Sequence, residues 1–123
     1  AIRAAGYGAD AVVVSNHGGR QLDGTRSSIE TLPEIASAVG DRLEVFLDSG
    51  IRRGLDVLKA IALGARAVLM GRPLFWGLAV NGEAGVRTAL DILRVEFDRA
   101  MAYCGRTRIA DIDRSLVTLP SEL

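Results

Sequence analysis

Gly8-Ala9-Asp10-Ala11-Val12-Val13-Val14 and Gly64-Ala65-Arg66-Ala67-Val68-Leu69-Met70 read as two copies of one local plan. In each, a glycine stops a helix, a two-residue turn follows, and an apolar run enters a strand. A third apolar run, residues 43–47, lies between them. The three predicted strands, Ala11–Val14, 43–47 and 67–70, lack strict alternation, the pattern of a parallel sheet covered on both faces. Helical patterns separate them, and strand–helix–strand spacing implies parallel strands joined by right-handed crossovers. The fold class is therefore α/β.

The connecting helices carry their own punctuation. Thr31-Leu32-Pro33-Glu34 fits a capping box with Thr31 as N-cap, and Leu32, Ile35, Ala36 and Val39 follow at helical spacing up to a stop at Gly40. The next helix, residues 55–63, is expected to bury Leu55, Leu58, Ile61 and Ala62. Past the third strand a short helix over 73–79 starts at Pro73. A long helix over 84–103 then presents Val86, Ala89, Leu90, Leu93, Phe97, Ala100, Met101 and Cys104 as its apolar stripe. Arg87/Asp91 and Arg94/Asp98 sit at i,i+4 on its solvated side. Phe75, Trp76 and Phe97 are expected to pack, and Cys104 to be a small buried hydrophobe. From Arg106 the tail carries one short helical turn and then Leu119-Pro120.

Composition narrows the chemistry. The 123 residues are 49% hydrophobic, enough for a domain with a core, and 15 basic residues balance 15 acidic ones. That neutrality argues against a nucleic-acid binder. All the basic residues but Lys59 are arginine, the residue suited to bidentate recognition of carboxylate or phosphate. A lone cysteine and a lone histidine leave no metal centre and no disulfide. No run is long enough for a membrane span, no signal peptide is visible, and a cytoplasmic setting is expected.

The loops leaving parallel strands gather at one end of the sheet, where ligands bind. Here the first is Ser15-Asn16-His17-Gly18-Gly19-Arg20-Gln21-Leu22-Asp23, the second Asp48-Ser49-Gly50-Ile51-Arg52-Arg53-Gly54, the third Gly71-Arg72-Pro73. His17 and Arg20 put a base and an anion clamp on one loop. Gly50 and Gly71 allow close backbone approach to an anion, Arg52 and Arg72 add charge, and a helix starting at Pro73 points its dipole at the same spot. A phosphate held by the last strand loops and a small extra helix recurs in (β/α)8 barrels.

These three motifs, in this order and at these separations, resemble those of the FMN-dependent α-hydroxy acid dehydrogenases and oxidases, the family of glycolate and lactate oxidases. The resemblance covers the chain to about Arg114. It implies the last three βα units of a (β/α)8 TIM barrel, with residues 1–123 forming one partial domain. The Ala1–Gly6 stretch would be a cut within the helix before the sixth strand. The resemblance makes His17 the catalytic base and Arg20 the grip on the substrate carboxylate. It makes Ser15 and Asp48 flavin contacts, Asp48 on the ribityl chain. Gly50, Arg52, Gly71 and Arg72 become the FMN phosphate cradle, with Ser49 and Ile51 contributing backbone. Ser49 stands where glycine is common. The implied reaction converts a small L-2-hydroxy acid to a 2-oxo acid, His17 taking a proton from either Cα or the hydroxyl. The implied assembly is a homotetramer. The family's flavin-contacting lysine and the acid that orients the histidine fall outside these motifs, and Lys59, in mid-helix, is not that lysine. Alternatives are a phosphate-binding barrel segment of an isomerase or other FMN enzyme, which leaves His17 and Arg20 unexplained, and a non-catalytic half-barrel.

Overall fold

A computed structural model describes residues 1–119. Three parallel strands, β1 (Ala11–Val14), β2 (Glu44–Asp48) and β3 (Ala67–Leu69), lie side by side in chain order. Val13, Phe46 and Ala67 stand in one row of the register, and Val14, Leu47 and Val68 in the next. Helix α1 (Ile2–Gly6) precedes β1, α2 (Ser28–Val39) joins β1 to β2, α3 (Gly54–Ala62) joins β2 to β3, and α4 (Arg72–Tyr103) follows β3. Both repeated turns use their glycine in the left-handed region, Gly8 at φ +81° and Gly64 at φ +103°.

Because strand side chains alternate between faces, the sheet has two different sides. Val14, Val45 and Leu47 point toward the helices and are buried with Leu32 and Val39 of α2 and Val57 and Ala60 of α3. The opposite side is not covered by the described residues: Val13 is 50% exposed and Leu69 47%. The missing alternation thus reflects an apolar face that this chain leaves open.

Helix α2 begins a turn earlier than Thr31-Leu32-Pro33-Glu34 suggests, with Ser27 rather than Thr31 as its N-cap. Ser27-Ser28-Ile29-Glu30 is itself a capping sequence: the Ser27 hydroxyl and amide both donate to the Glu30 carboxylate, at 2.8 and 3.3 Å. Pro33 therefore lies inside the helix. At the start of α3 the Asp56 carboxylate accepts the Arg52 and Arg53 amides at 3.0 and 2.9 Å. Gly54 packs against the backbone of α4, where a Cβ would overlap Glu96 and Phe97, and its N–H donates to Glu96 Oε2 at 3.0 Å. With that face turned to α4, Leu55 is left nearly half exposed, against the expectation that it is buried.

The two helices expected after β3 are the two arms of α4, which breaks at Asn81 and Gly82, both outside helical φ/ψ. The second arm packs on α3 through Leu93 and Phe97, and Ala100 and Met101 join Leu58, Ala62 and Ile112 in a second cluster edged by half-buried Cys104. Leu90 falls off this stripe and is nearly half exposed. The exposed charges pair differently from the expected spacing: Arg87 with Glu83 at 3.4 Å and Arg94 with Asp91 at 3.8 Å. Phe75 and Trp76 do not pack as expected, being 68% and 56% exposed, because no described element covers the first arm. The tail forms two 3-10 turns, Ile109–Asp111 and Arg114–Leu116, rather than one. Pro120 lies outside the described residues. No helix among the described residues is long and apolar enough to cross a membrane.

Candidate active site

The three loops meet at the C-terminal ends of the strands, as parallel topology requires. β1 runs into Ser15, whose hydroxyl donates to Asp48 Oδ2 at 3.0 Å, tying the first loop to the end of β2. The next residues form a tight 3-10 turn, His17–Gly19. His17, Gly18 and Gly19 all adopt positive φ, at +53°, +68° and +75°. Histidine is one of the few side chains that enter this region with any frequency, at a cost the surroundings must offset. Here they do so with hydrogen bonds. The His17 N–H donates to Ser15 Oγ at 3.1 Å, and the Gly18 N–H is shared between Asn16 Oδ1 and Ser49 Oγ, each at 3.0 Å.

The turn opens onto a cleft of about 250 Å³. His17, Gly18 and Arg20 line it from the first loop, Asp48, Ser49, Gly50, Ile51 and Arg52 from the second, and Met70, Gly71, Arg72, Pro73 and Phe75 from the third. The structure thus brings His17, Arg20, Asp48, Ser49, Gly50, Ile51, Arg52, Gly71 and Arg72 around one space. Ser15 stands just behind, bonded to Asp48. Three arginines face one carboxylate there. Among the described residues Arg20, Arg52 and Arg72 make no ion pair, so their guanidiniums are available to an anion.

A flavin mononucleotide suits this donor set. Gly71 is the N-cap of α4 and supplies no side-chain cap; Pro73 has no N–H, and the Leu74 and Phe75 N–H groups donate to the Gly71 carbonyl, which leaves the Arg72 amide of the first turn for a phosphate. A Cβ built on Gly50 or Gly71 would meet nothing within 4 Å, so both backbones border open space. Asp48 spends one oxygen on each neighbouring serine hydroxyl, the second bond being Ser49 Oγ to Asp48 Oδ1 at 3.4 Å, and keeps acceptor capacity for a ligand hydroxyl.

Spacing alone does not reveal how closely the first and third loops touch. A Cβ on Gly18 would lie 2.8 Å from Arg72 Nη2, so the glycine lets that guanidinium lie against the backbone beside His17. A second cavity of about 380 Å³, lined by Ser28, Ile29, Asp56 and Lys59 among others, adjoins the same turn. The Ser28 hydroxyl is buried without a partner at its edge. Among the described residues no group of three or more metal-ligating side chains occurs.

The βα units, with an imidazole and unpaired arginines at the strand ends, define a segment of an α/β protein, and comparison with known proteins narrows its class. A family model described as FMN-dependent dehydrogenase matches residues 1–119. The L-lactate oxidase of Nostoc is 56% identical over 119 residues, covering 97% of this chain and 33% of that protein. Mouse 2-hydroxyacid oxidase 1 is 56% identical over 90% of this chain and 30% of its own length, and the Mycobacterium tuberculosis pre-mycofactocin synthase 53% identical over 97% and 30%. Among solved structures, mandelate oxidase with a monooxide FMN adduct superposes with TM-score 0.88 at 51% identity, over 93% of this chain and 38% of that one. A flavocytochrome b2 variant with sulfite bound gives 0.91 at 46% identity, over 98% and 33%. The chain belongs to the FMN-dependent dehydrogenase family, and it spans about a third of the length of the curated relatives it matches.

Proposed function

We propose that residues 1–123 are the C-terminal portion of an FMN hydroxy acid dehydrogenase domain. The protein that carries them oxidises a small L-2-hydroxy acid to the 2-oxo acid. The observation that carries this reading is the single cleft shared by His17, Arg20 and the two glycine–arginine loops. A base and a carboxylate clamp without the cradle would suit many acid substrates. The cradle without His17 and Arg20 would suit any phosphate. Together they describe a substrate carboxylate and a cofactor phosphate bound side by side.

FMN, when bound, supplies the two-electron acceptor. Gly50, Arg52, Gly71 and Arg72, with the backbone of Ser49 and Ile51, hold its phosphate. Asp48 would accept from its ribityl hydroxyls, and Ser15, bonded to Asp48, would be the further flavin contact. Arg20 takes the substrate carboxylate through paired N–H donors, which fixes where Cα and its hydroxyl lie. The imidazole of His17 accepts the substrate proton, a task suited to a side chain that titrates near neutral pH. The reading includes a cytoplasmic homotetramer, and light scattering on the full-length protein measures its size.

The deciding experiment adds L-lactate, glycolate or L-mandelate to the full-length flavoprotein without oxygen and follows flavin absorbance. Bleaching by at least one acid and none by its methyl ester, which lacks the charge Arg20 needs, is the expected result. Reduction by ester and acid alike would remove the carboxylate clamp from the mechanism, and no reduction by any of the acids would remove the reading.

A further inference from the structure

The His17 turn is held by polar contacts within the protein that the proposed function leaves without a role. The two oxygens of Asp48 accept from two hydroxyls, Ser15 Oγ at 3.0 Å and Ser49 Oγ at 3.4 Å. Each hydroxyl in turn accepts a consecutive main-chain N–H of the turn, His17 onto Ser15 at 3.1 Å and Gly18 onto Ser49 at 3.0 Å, the Gly18 N–H being shared with Asn16 Oδ1, also at 3.0 Å. A hydroxyl that donates to a carboxylate becomes a better acceptor, so the carboxylate strengthens both amide bonds. The two serines directly follow different strands, so the pair also links the ends of β1 and β2.

Ser49 is the unusual member. It sits at φ +77°, in the left-handed region that favours glycine. A side chain there costs backbone energy, and the hydroxyl's two hydrogen bonds are what the strained conformation supports. His17 itself is at φ +53°. An imidazole mounted on such a backbone points where the turn directs it, and a small rotation of the turn would swing the ring away from a bound substrate.

We propose that Ser49 is a positioning residue for His17: its hydroxyl, oriented by Asp48, holds the Gly18 N–H and so fixes the turn that aims the imidazole. The role of His17 as base comes from the function proposed above; the role of Ser49 is additional to it. In that role Ser49 acts through the backbone of the turn.

The test compares Ser49→Ala and Ser49→Gly in the full-length holoenzyme. Both delete the hydroxyl, but glycine also relieves the backbone strain, so the glycine variant melts at a higher temperature than the alanine variant. If the hydroxyl positions His17, both variants lose about 10-fold in kcat with little change in KM or flavin content, because misaimed catalytic groups cost rate before affinity. The Gly18 amide also exchanges with solvent faster in both, a readout independent of turnover. A kcat that recovers in the glycine variant in step with its melting temperature would make the serine's effect structural and overturn the proposal. Unchanged kcat per bound flavin in both variants would overturn it too. So would loss of flavin in both, which would assign the hydroxyl to the cofactor. His17→Gln, measured alongside, separates the two readings: activity surviving that change sinks the base assignment, whereas a dead His17→Gln beside an unaffected Ser49→Ala sinks only the positioning role.

Discussion

Arg20 and Gly18 show how much a single position can carry in the His17 loop. Arg20 projects an unpaired guanidinium into the cleft. Lysine would keep the charge but lose the planar fork that matches a carboxylate. Arg20→Lys in the full-length enzyme is expected to raise KM for the hydroxy acid by about 10-fold and to lower kcat as well, which steady-state kinetics would show. Gly18 acts on the opposite side of the turn. A methyl group there would press on Arg72 and would also face the φ of +68°. Gly18→Ala should therefore displace Arg72 from the phosphate cradle and weaken FMN binding, read by fluorescence titration of the apoprotein. An unchanged dissociation constant would mean Arg72 does not serve the phosphate. That these residues line one cleft was legible in the sequence, because histidine, glycine and arginine stand together at a strand end. The contact between Gly18 and Arg72 was not, since it joins residues far apart in the chain through a turn whose three positive φ values no spacing rule specifies.

Among the elements, the helix starts differ most from what local patterns suggest, and the differences have physical causes. Thr31-Leu32-Pro33-Glu34 carries every mark of a helix start, yet Ser27 and Glu30 make a complete cap one turn earlier, and the helix begins there. Two overlapping signals compete, and the one that satisfies more amides wins. The Ser27 hydroxyl, and after it the Ser27 amide, hold the Glu30 carboxyl below its ordinary value of 4.5. A lowered folded-state value means the cap stabilises the fold above the ordinary glutamate range and fades as pH falls through the lowered value. The stability gap between the parent protein and Glu30→Gln should hence be widest at neutral pH and close in acid, measured by urea melts at several pH values. A gap that widened in acid would contradict the cap. At α3 the missed signal is tertiary. Nothing near Gly54 in the sequence announces Glu96, which reaches it from α4. Gly54→Ala would drive a methyl into the α4 backbone and should destabilise the full-length protein by about 1–3 kcal/mol, as overpacking does. Thermal melts of that variant would show it.

At the scale of the whole molecule, one side of the sheet is a packed core and the other is open. The strand runs announced themselves by composition, and their parallel order follows from the helices between them. Which face would be covered was not legible, because a chain of apolar residues looks the same whether its second face meets its own helices or something else. Val13 and Leu69 on the open face, with Phe75 at the cleft and Trp76 elsewhere on α4, are apolar surface that a soluble domain seldom leaves bare. The relatives it matches are about three times as long. The 123 residues expressed alone are therefore expected to bind a hydrophobic dye strongly, to self-associate, to hold FMN weakly and not to turn over. Co-expression with the remaining two thirds of a relative such as the Nostoc L-lactate oxidase should cover Val13 and Leu69, abolish dye binding and restore flavin to the complex. Charged replacement on the open face, Val13→Glu, should make the isolated chain less aggregated while preventing that reconstitution, because the same surface serves both contacts. A Val13→Glu chain that still assembled and took up flavin would show that the open face is not where the rest of the protein sits.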